Sequence, residues 1–167
     1  MPEHPLEILL LRHAKSSWKS PAQSDHERPL NDRGIRAAAT MARLCARLNL
    51  LPDRILSSDA CRTRETAERF IETSGLDVPI EFRPELYHAP PKTIVEAARS
   101  HGARSRRLLV IAHNPGIEEL TSRLVGKATN CPTATLSRFR IDPEDWSDWT
   151  GEAGEHLGTW RPKEIED

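Results

Sequence analysis

Long apolar runs are missing from the sequence: no stretch approaches the roughly 20 residues a helix needs to span a membrane. No membrane association is therefore expected. Cysteine is scarce. Cys45, Cys61 and Cys131 are odd in number and form no C-x-x-C, which fits reduced thiols in a reducing compartment better than a disulfide framework. A surplus of either charge is also absent, with 24 Lys and Arg against 25 Asp and Glu for a net charge of -1. A nucleic-acid binder would carry a basic excess, so any positive site here must be local. The N-terminal MPEHPLEILLLRHA places acidic residues before a short apolar run, unlike a signal peptide, and a cytoplasmic protein is expected.

Further absences narrow the chemistry. A cysteine phosphatase needs Arg six positions after its Cys, but Cys45 leads to Leu51, Cys61 to Ala67 and Cys131 to Ser137. No H-E-x-x-H occurs, and His13, His88 and His113 are widely scattered, which leaves a metallohydrolase a minor alternative. With no repeat and no low-complexity linker, residues 1–167 are expected to form one domain.

What is present is an alternation of strand-like and helix-like segments. Glu7 to Leu11 reads as a strand buried on both faces, and Asn31 to Leu50 as a long amphipathic helix with Asn31 or Asp32 as cap. Arg54 to Ser57 and Val78 to Phe82 read as strands around a helix over Asp59 to Ser74. A helix over Pro91 to Ser100, a strand over Arg107 to Ala112 and a helix over Gly116 to Val125 follow. The alternating Thr133 to Ile141 is expected to be an edge strand, while the polar tail after Asp142, with Trp146, Trp149 and Trp160, is not placed. The order predicts an α/β three-layer sandwich: a central, mostly parallel sheet flanked by helices.

In such sheets ligands bind beyond the carboxyl ends of the strands. There the first strand delivers Arg12 and His13, the second Ser57 and Ser58 with Arg62 and Arg64, the third Glu85 and His88, and the fourth His113. An isolated histidine at a strand end is ordinarily a satisfied polar residue, and Arg62 alone reads as a solvated helix residue. The coincidence points to a ligand instead. Guanidinium forks match phosphoryl oxygens, and the first N–H groups of the helix after His113-Asn114-Pro115-Gly116 favour an anion, so the implied ligand is a phosphate.

Four segments in order carry a family resemblance. LLLRHAKSSW resembles the Arg-His-Gly signature of the histidine phosphatase (phosphoglycerate mutase-like) superfamily, with Ala14 in place of the glycine. RPLNDRGIRAA, LSSDACRTRETAE and VIAHNPGIEEL resemble its later segments, and the ERPLNDRG, PELYHA and AHNPG stretches look most like SixA-type phosphohistidine phosphatases. The resemblance implies His13 as nucleophile through a phosphohistidine intermediate, and Arg12, Arg62 and His113 as phosphate ligands. It implies no metal or other cofactor. Ser16, Ser17 and Lys19 are candidate further donors. Larger members place a carboxylic acid after the third strand, and here Glu85 and His88 are the candidate proton donors. Lacking that acid would favour phosphohistidine over phosphate esters, because an imidazole leaves more readily than an alkoxide. The expected partner is a phosphorylated protein or a small phosphorylated molecule. A small-molecule ester phosphatase and a noncatalytic phosphate-binding module stay open as alternatives.

Overall fold

The computed structural model describes residues 5–19, 24–152 and 154–165; the first four residues of the MPEHPLEILLLRHA stretch lie outside them. Leu6–Arg12 forms strand β1. Its Leu6, Ile8 and Leu10 join one apolar core while Leu9 and Leu11 join another. Successive side chains of a strand point to opposite faces, so a strand covered on both sides must be apolar throughout, which is what makes this run read as continuous. Arg107–Ala112 (β4) repeats the pattern, with Leu108 and Val110 in the first core and Leu109 and Ile111 in the second.

Between them lie Asp32–Arg47 (α1), Arg54–Ser58 (β2), Cys61–Ser74 (α2), Ile80–Arg83 (β3) and Pro91–His101 (α3). Gly116–Val125 (α4), Leu136–Ile141 (β5) and Glu155–Trp160 (β6) complete the order. The Asn31 side chain caps α1 by accepting from the Gly34 N–H at 2.9 Å. Gly34 is required here, because a Cβ would lie 2.1 Å from the Lys15 carbonyl oxygen. The helix and the loop after β1 can thus touch backbone to backbone.

The sheet runs β3-β2-β4-β1-β5-β6. β1 to β4 pair in parallel, β5 runs antiparallel to β1, and β6 antiparallel to β5. α1 and α2 bury their apolar faces on one side, α3 and α4 on the other, giving the three-layer sandwich. At the end of the sheet opposite Arg12, Glu7 accepts from Arg107 Nε at 2.8 Å and Arg138 NH2 at 2.5 Å, tying β1 to both neighbours.

Two expectations are corrected. β5 is not an edge strand, because β6 covers it; EHLGTW carries no strand-like alternation and gave no sign of the partner. The third strand starts at Ile80 rather than Val78, since Pro79 has no N–H to give the ladder. The tail after Asp142 divides its tryptophans between layers. Trp146 and Trp149 are buried in the α3/α4 core, Trp146 donating to the Ser105 carbonyl at 2.8 Å, while Trp160 ends β6 and packs on the α1/α2 side.

Candidate active site

The carboxyl ends of β1, β2 and β4 meet at the point where the chain, having moved outward along the sheet, returns between β2 and β1. A cavity of about 430 Å³ opens there. Arg12 closes β1 and His13 follows it into the cavity. Arg62 reaches in from the first turn of α2, and His113 follows β4. The backbone N–H of His13 is still held by the Ala112 carbonyl at 3.1 Å, so the ring rises from the continuing ladder and not from a mobile loop. Ala14 needs no glycine: it is fully buried, with its N–H on Thr66 Oγ1 at 3.0 Å.

His13 is fixed through both nitrogens. Nδ1–H donates to the Ala14 carbonyl at 2.7 Å, which leaves Nε2 unprotonated and accepting from Arg62 Nε–H at 3.4 Å. Burial disfavours the imidazolium. The Ala14 carbonyl works the other way, but Arg62, Arg12 and Arg28 add repulsion, and the ring is held neutral down to about 3. The His113 ring stands 5.3 Å from that of His13 and is only 1% exposed. Its pKa is pushed far down by burial, with His13, Arg62 and His88 adding repulsion. His113 Nε2 lies 2.7 Å from Ser58 Oγ.

Three residues that line this cavity each carry a buried polar atom with no hydrogen-bond partner among the described residues: Arg12 Nε, Arg28 NH1 and His113 Nδ1. Buried polar atoms left without a partner are costly, and guanidinium groups gathered at one cavity suit an anion. Among the described residues, no three His, Cys, Asp or Glu side chains are grouped to hold a metal ion. The buried Cys45 thiol is pushed up to about 12 by burial.

Asp25 dominates the mouth of the cavity. Its Oδ2 accepts from Arg62 NH2 at 3.0 Å, from His88 Nε2–H at 2.9 Å and from the Tyr87 hydroxyl, and its carbonyl accepts from Arg62 NH1 at 2.7 Å. Burial opposes its charge, but the hydrogen bonds from Tyr87, His88 and Arg62 outweigh that and hold the carboxyl well below the usual range. Arg28, 3.2 Å from Asp25 Oδ1, braces the opposite side. His88 adopts φ 52, a region that bulky residues rarely occupy, and this turn sets its ring 5.0 Å from that of His113.

The structure therefore brings Arg12, His13, Ser16, Arg62, His88 and His113 to one cavity. It does not bring the other candidates there. Glu85 turns to Arg83 Nε at 2.7 Å, Arg64 stacks on Phe82 at 3.8 Å, and Ser17 Oγ accepts the Lys19 backbone N–H while Lys19 stays exposed outside the cavity. Nor are the α4 N–H groups the expected anion site: that of Ile117 is taken by the His113 carbonyl and that of Glu118 by Asn114 Oδ1. Sequence reasoning passed over Asp25, Arg28, Tyr87, Asn114 and Lys15. Arg28, Tyr87, Asn114 and Lys15 lie within the ERPLNDRG, PELYHA, AHNPG and LLLRHAKSSW stretches that carry the resemblance, whereas Asp25 lies in none of them.

Residues 8–88 match the sequence model of the histidine phosphatase superfamily, branch 1. An uncharacterised chloroplast protein of Arabidopsis thaliana is 35% identical over 144 residues, 79% of this chain and 66% of that protein. The aligned stretch spans 63% to 66% of the length of the first curated relatives, so the chain covers less than two thirds of them. A structure assigned as the phosphohistidine phosphatase SixA of Agrobacterium tumefaciens superposes with a TM-score of 0.74 at 29% identity, covering 81% of this chain and 92% of that one. The protein histidine phosphatase SixA complexed with tungstate gives 0.82 at 20% identity over 96% of this chain and 100% of that one, a likeness of fold. No helix among the described residues is long and apolar enough to cross a membrane.

Proposed function

Because the chain belongs to the histidine phosphatase superfamily, we propose that it is a phosphatase that acts, without a metal, on phosphohistidine carried by a protein, with His13 as its nucleophile. The observation that carries this is the state of His13: a buried neutral imidazole, pinned by Ala14, whose unprotonated Nε2 meets the Arg62 guanidinium in a cavity that Arg12 and Arg28 also line. That is the arrangement a nucleophile needs when its target is a phosphoryl group.

In the proposed sequence the His13 Nε2 lone pair forms a bond to phosphorus and the bond from phosphorus to the substrate nitrogen breaks. The electron pair goes to that nitrogen, which takes a proton from a protonated His88. Arg12, Arg28, Arg62 and His113 hold the nonbridging oxygens; with the Ser58 hydroxyl donating to Nε2, the His113 proton sits on Nδ1, the atom left without a partner. Water then gives a proton to His88 and attacks phosphorus, the bond to His13 breaks, its pair returns to Nε2, and phosphate leaves. Asp25 holds His88 in place for both transfers. Glu85, paired with Arg83, has no part in this scheme.

A histidine where a carboxylic acid would serve an alkoxide supports a phosphoramidate substrate over an ester. The decisive comparison is kcat/KM for a phosphohistidine peptide against an aryl phosphate, without added metal, with His13→Ala as control. A ratio far above one, together with an acid-labile phosphoenzyme that disappears in His13→Ala, is expected. A ratio below one with His13-dependent turnover would move the assignment to phosphate esters. Stoichiometric binding without phosphate release would favour a binding module.

A further inference from the structure

A second groove of about 470 Å³ adjoins the candidate active-site cavity, with Lys15 and Thr133 lining both. It runs between the first turn of α1, the turn before β5 and the turn after β6. Lys15, Arg33, Arg161 and Lys163 bring four positive charges to its walls against one carboxylate, Glu164, which pairs with Arg161 at 3.6 Å. Lys15, Arg33 and Lys163 are exposed and have no carboxylate partner among the described residues. Arg161 is braced across the groove, with Nε and NH2 on the Asn130 carbonyl at 3.2 Å and 2.9 Å. The net charge of -1 shows that this concentration is local.

Three of these charges, Arg33, Arg161 and Lys163, lie outside the cavity, and the hydrolytic scheme has no use for them. A small phosphorylated molecule would be held within the cavity, and cations along a trench leading away from it would contribute nothing to its turnover. On the other lip of the cavity Trp18 is 77% exposed, its ring covered on one face by the Arg28 guanidinium at 3.3 Å. An exposed tryptophan beside a binding cavity is the kind of side chain that anchors protein interfaces. Resting on the phosphatase reading above, we propose that the groove docks an acidic surface that flanks the phosphorylated residue of a protein substrate.

The test uses three probes on the full chain: a phosphohistidine peptide flanked by Glu, the same peptide flanked by Lys, and phosphoramidate. We expect the wild type to favour the Glu peptide in kcat/KM by about 10-fold at low salt, with the preference fading near about 0.5 M salt. In the double variant Arg33→Glu, Lys163→Glu, both positions being exposed, kcat/KM for the Glu peptide should fall about 10-fold through KM while phosphoramidate turnover is unchanged. Equal turnover of both peptides by the wild type, or an equal loss on phosphoramidate, would overturn the proposal. So would stronger inhibition by a single-stranded oligonucleotide than by the unphosphorylated Glu peptide, which would assign the groove to nucleic acid. Fluorescence anisotropy of the labelled Glu peptide needs no turnover. If no probe were hydrolysed but charge-dependent anisotropy persisted, the phosphatase reading would fall and the groove would stand.

Discussion

Asp25→Asn separates the two things this residue does. Arg62 NH2 is 3.0 Å from Asp25 Oδ2, so a phosphoryl oxygen taking that N–H must displace or abut the carboxylate. Two unit negative charges about 5 Å apart at an effective dielectric constant of about 20 repel by about 3 kcal/mol. Asp25 is 40% exposed, and solvent screening reduces this to about 1.5 kcal/mol, roughly a tenfold change in affinity. Asparagine keeps an oxygen for Arg62 and Tyr87 but removes the charge. Inorganic phosphate is therefore expected to bind Asp25→Asn about tenfold more tightly by isothermal titration calorimetry. Turnover of a phosphohistidine peptide should move the other way, falling by at least about tenfold in kcat, because His88 loses the anion that holds its proton in place. Weaker phosphate binding in the variant would refute the reasoning, since it would mean that Asp25 serves the cradle by ordering Arg62 and does not compete with the ligand.

Four further outcomes are expected. His13 and His113 are buried neutral, with folded values below the unfolded one near 6.5. The stability they allow is complete above that pH and is lost as pH falls toward the folded values, by up to about 1.4 kcal/mol per pH unit for each. Urea midpoints between pH 7 and 5 should show this, and His113→Gln should flatten the slope. Glu7→Gln should cost about 1 to 2 kcal/mol in urea unfolding, because Arg107 and Arg138 lose the charge between them, yet leave kcat/KM unchanged at the far end of the sheet. Burial raises the Glu7 pKa, but hydrogen bonds from Arg138 and Arg107 outweigh it and lower the net value. The Glu7 contribution is thus present above the unfolded carboxylate value and is lost as pH falls through the lower folded one, a dependence Glu7→Gln should erase. Gly34→Ala should lower stability by about 2 kcal/mol and activity with it, because the new Cβ drives into the Lys15 carbonyl behind His13; unchanged melting and turnover would show that the contact yields freely.

The histidine whose role was least certain in the sequence shows where reading along the chain stops. His88 was one of two candidate proton donors, and nothing local separates it from Glu85. Only the path of the chain after β3, with the left-handed turn at His88, sends one into the cavity and the other to Arg83. The same holds for the phosphate ligands. Arg12 and His13 were readable because a two-faced apolar strand must end where they stand, but Arg28 and Asp25 sit in a segment with no periodicity of its own.

The amino-acid order alone determined the first five strands and the four helices, though not β6, because burial on one or both faces imprints a repeat of two or 3.6 residues on neighbouring positions. It also determined the Arg12-His13 pair, a cap at Asn31 or Asp32, and the order in which the later site residues occur. Tertiary structure alone decided which strand pairs with which, and so that β6 covers β5 and that β4 inserts between β1 and β2. It alone placed Asp25 on Arg62, Tyr87 and His88, 37 to 63 positions away. The reason is physical: periodicity is a local record of solvent, whereas a site assembled from separate loops depends on sheet order and on contacts between distant segments, which leave no repeat in the chain.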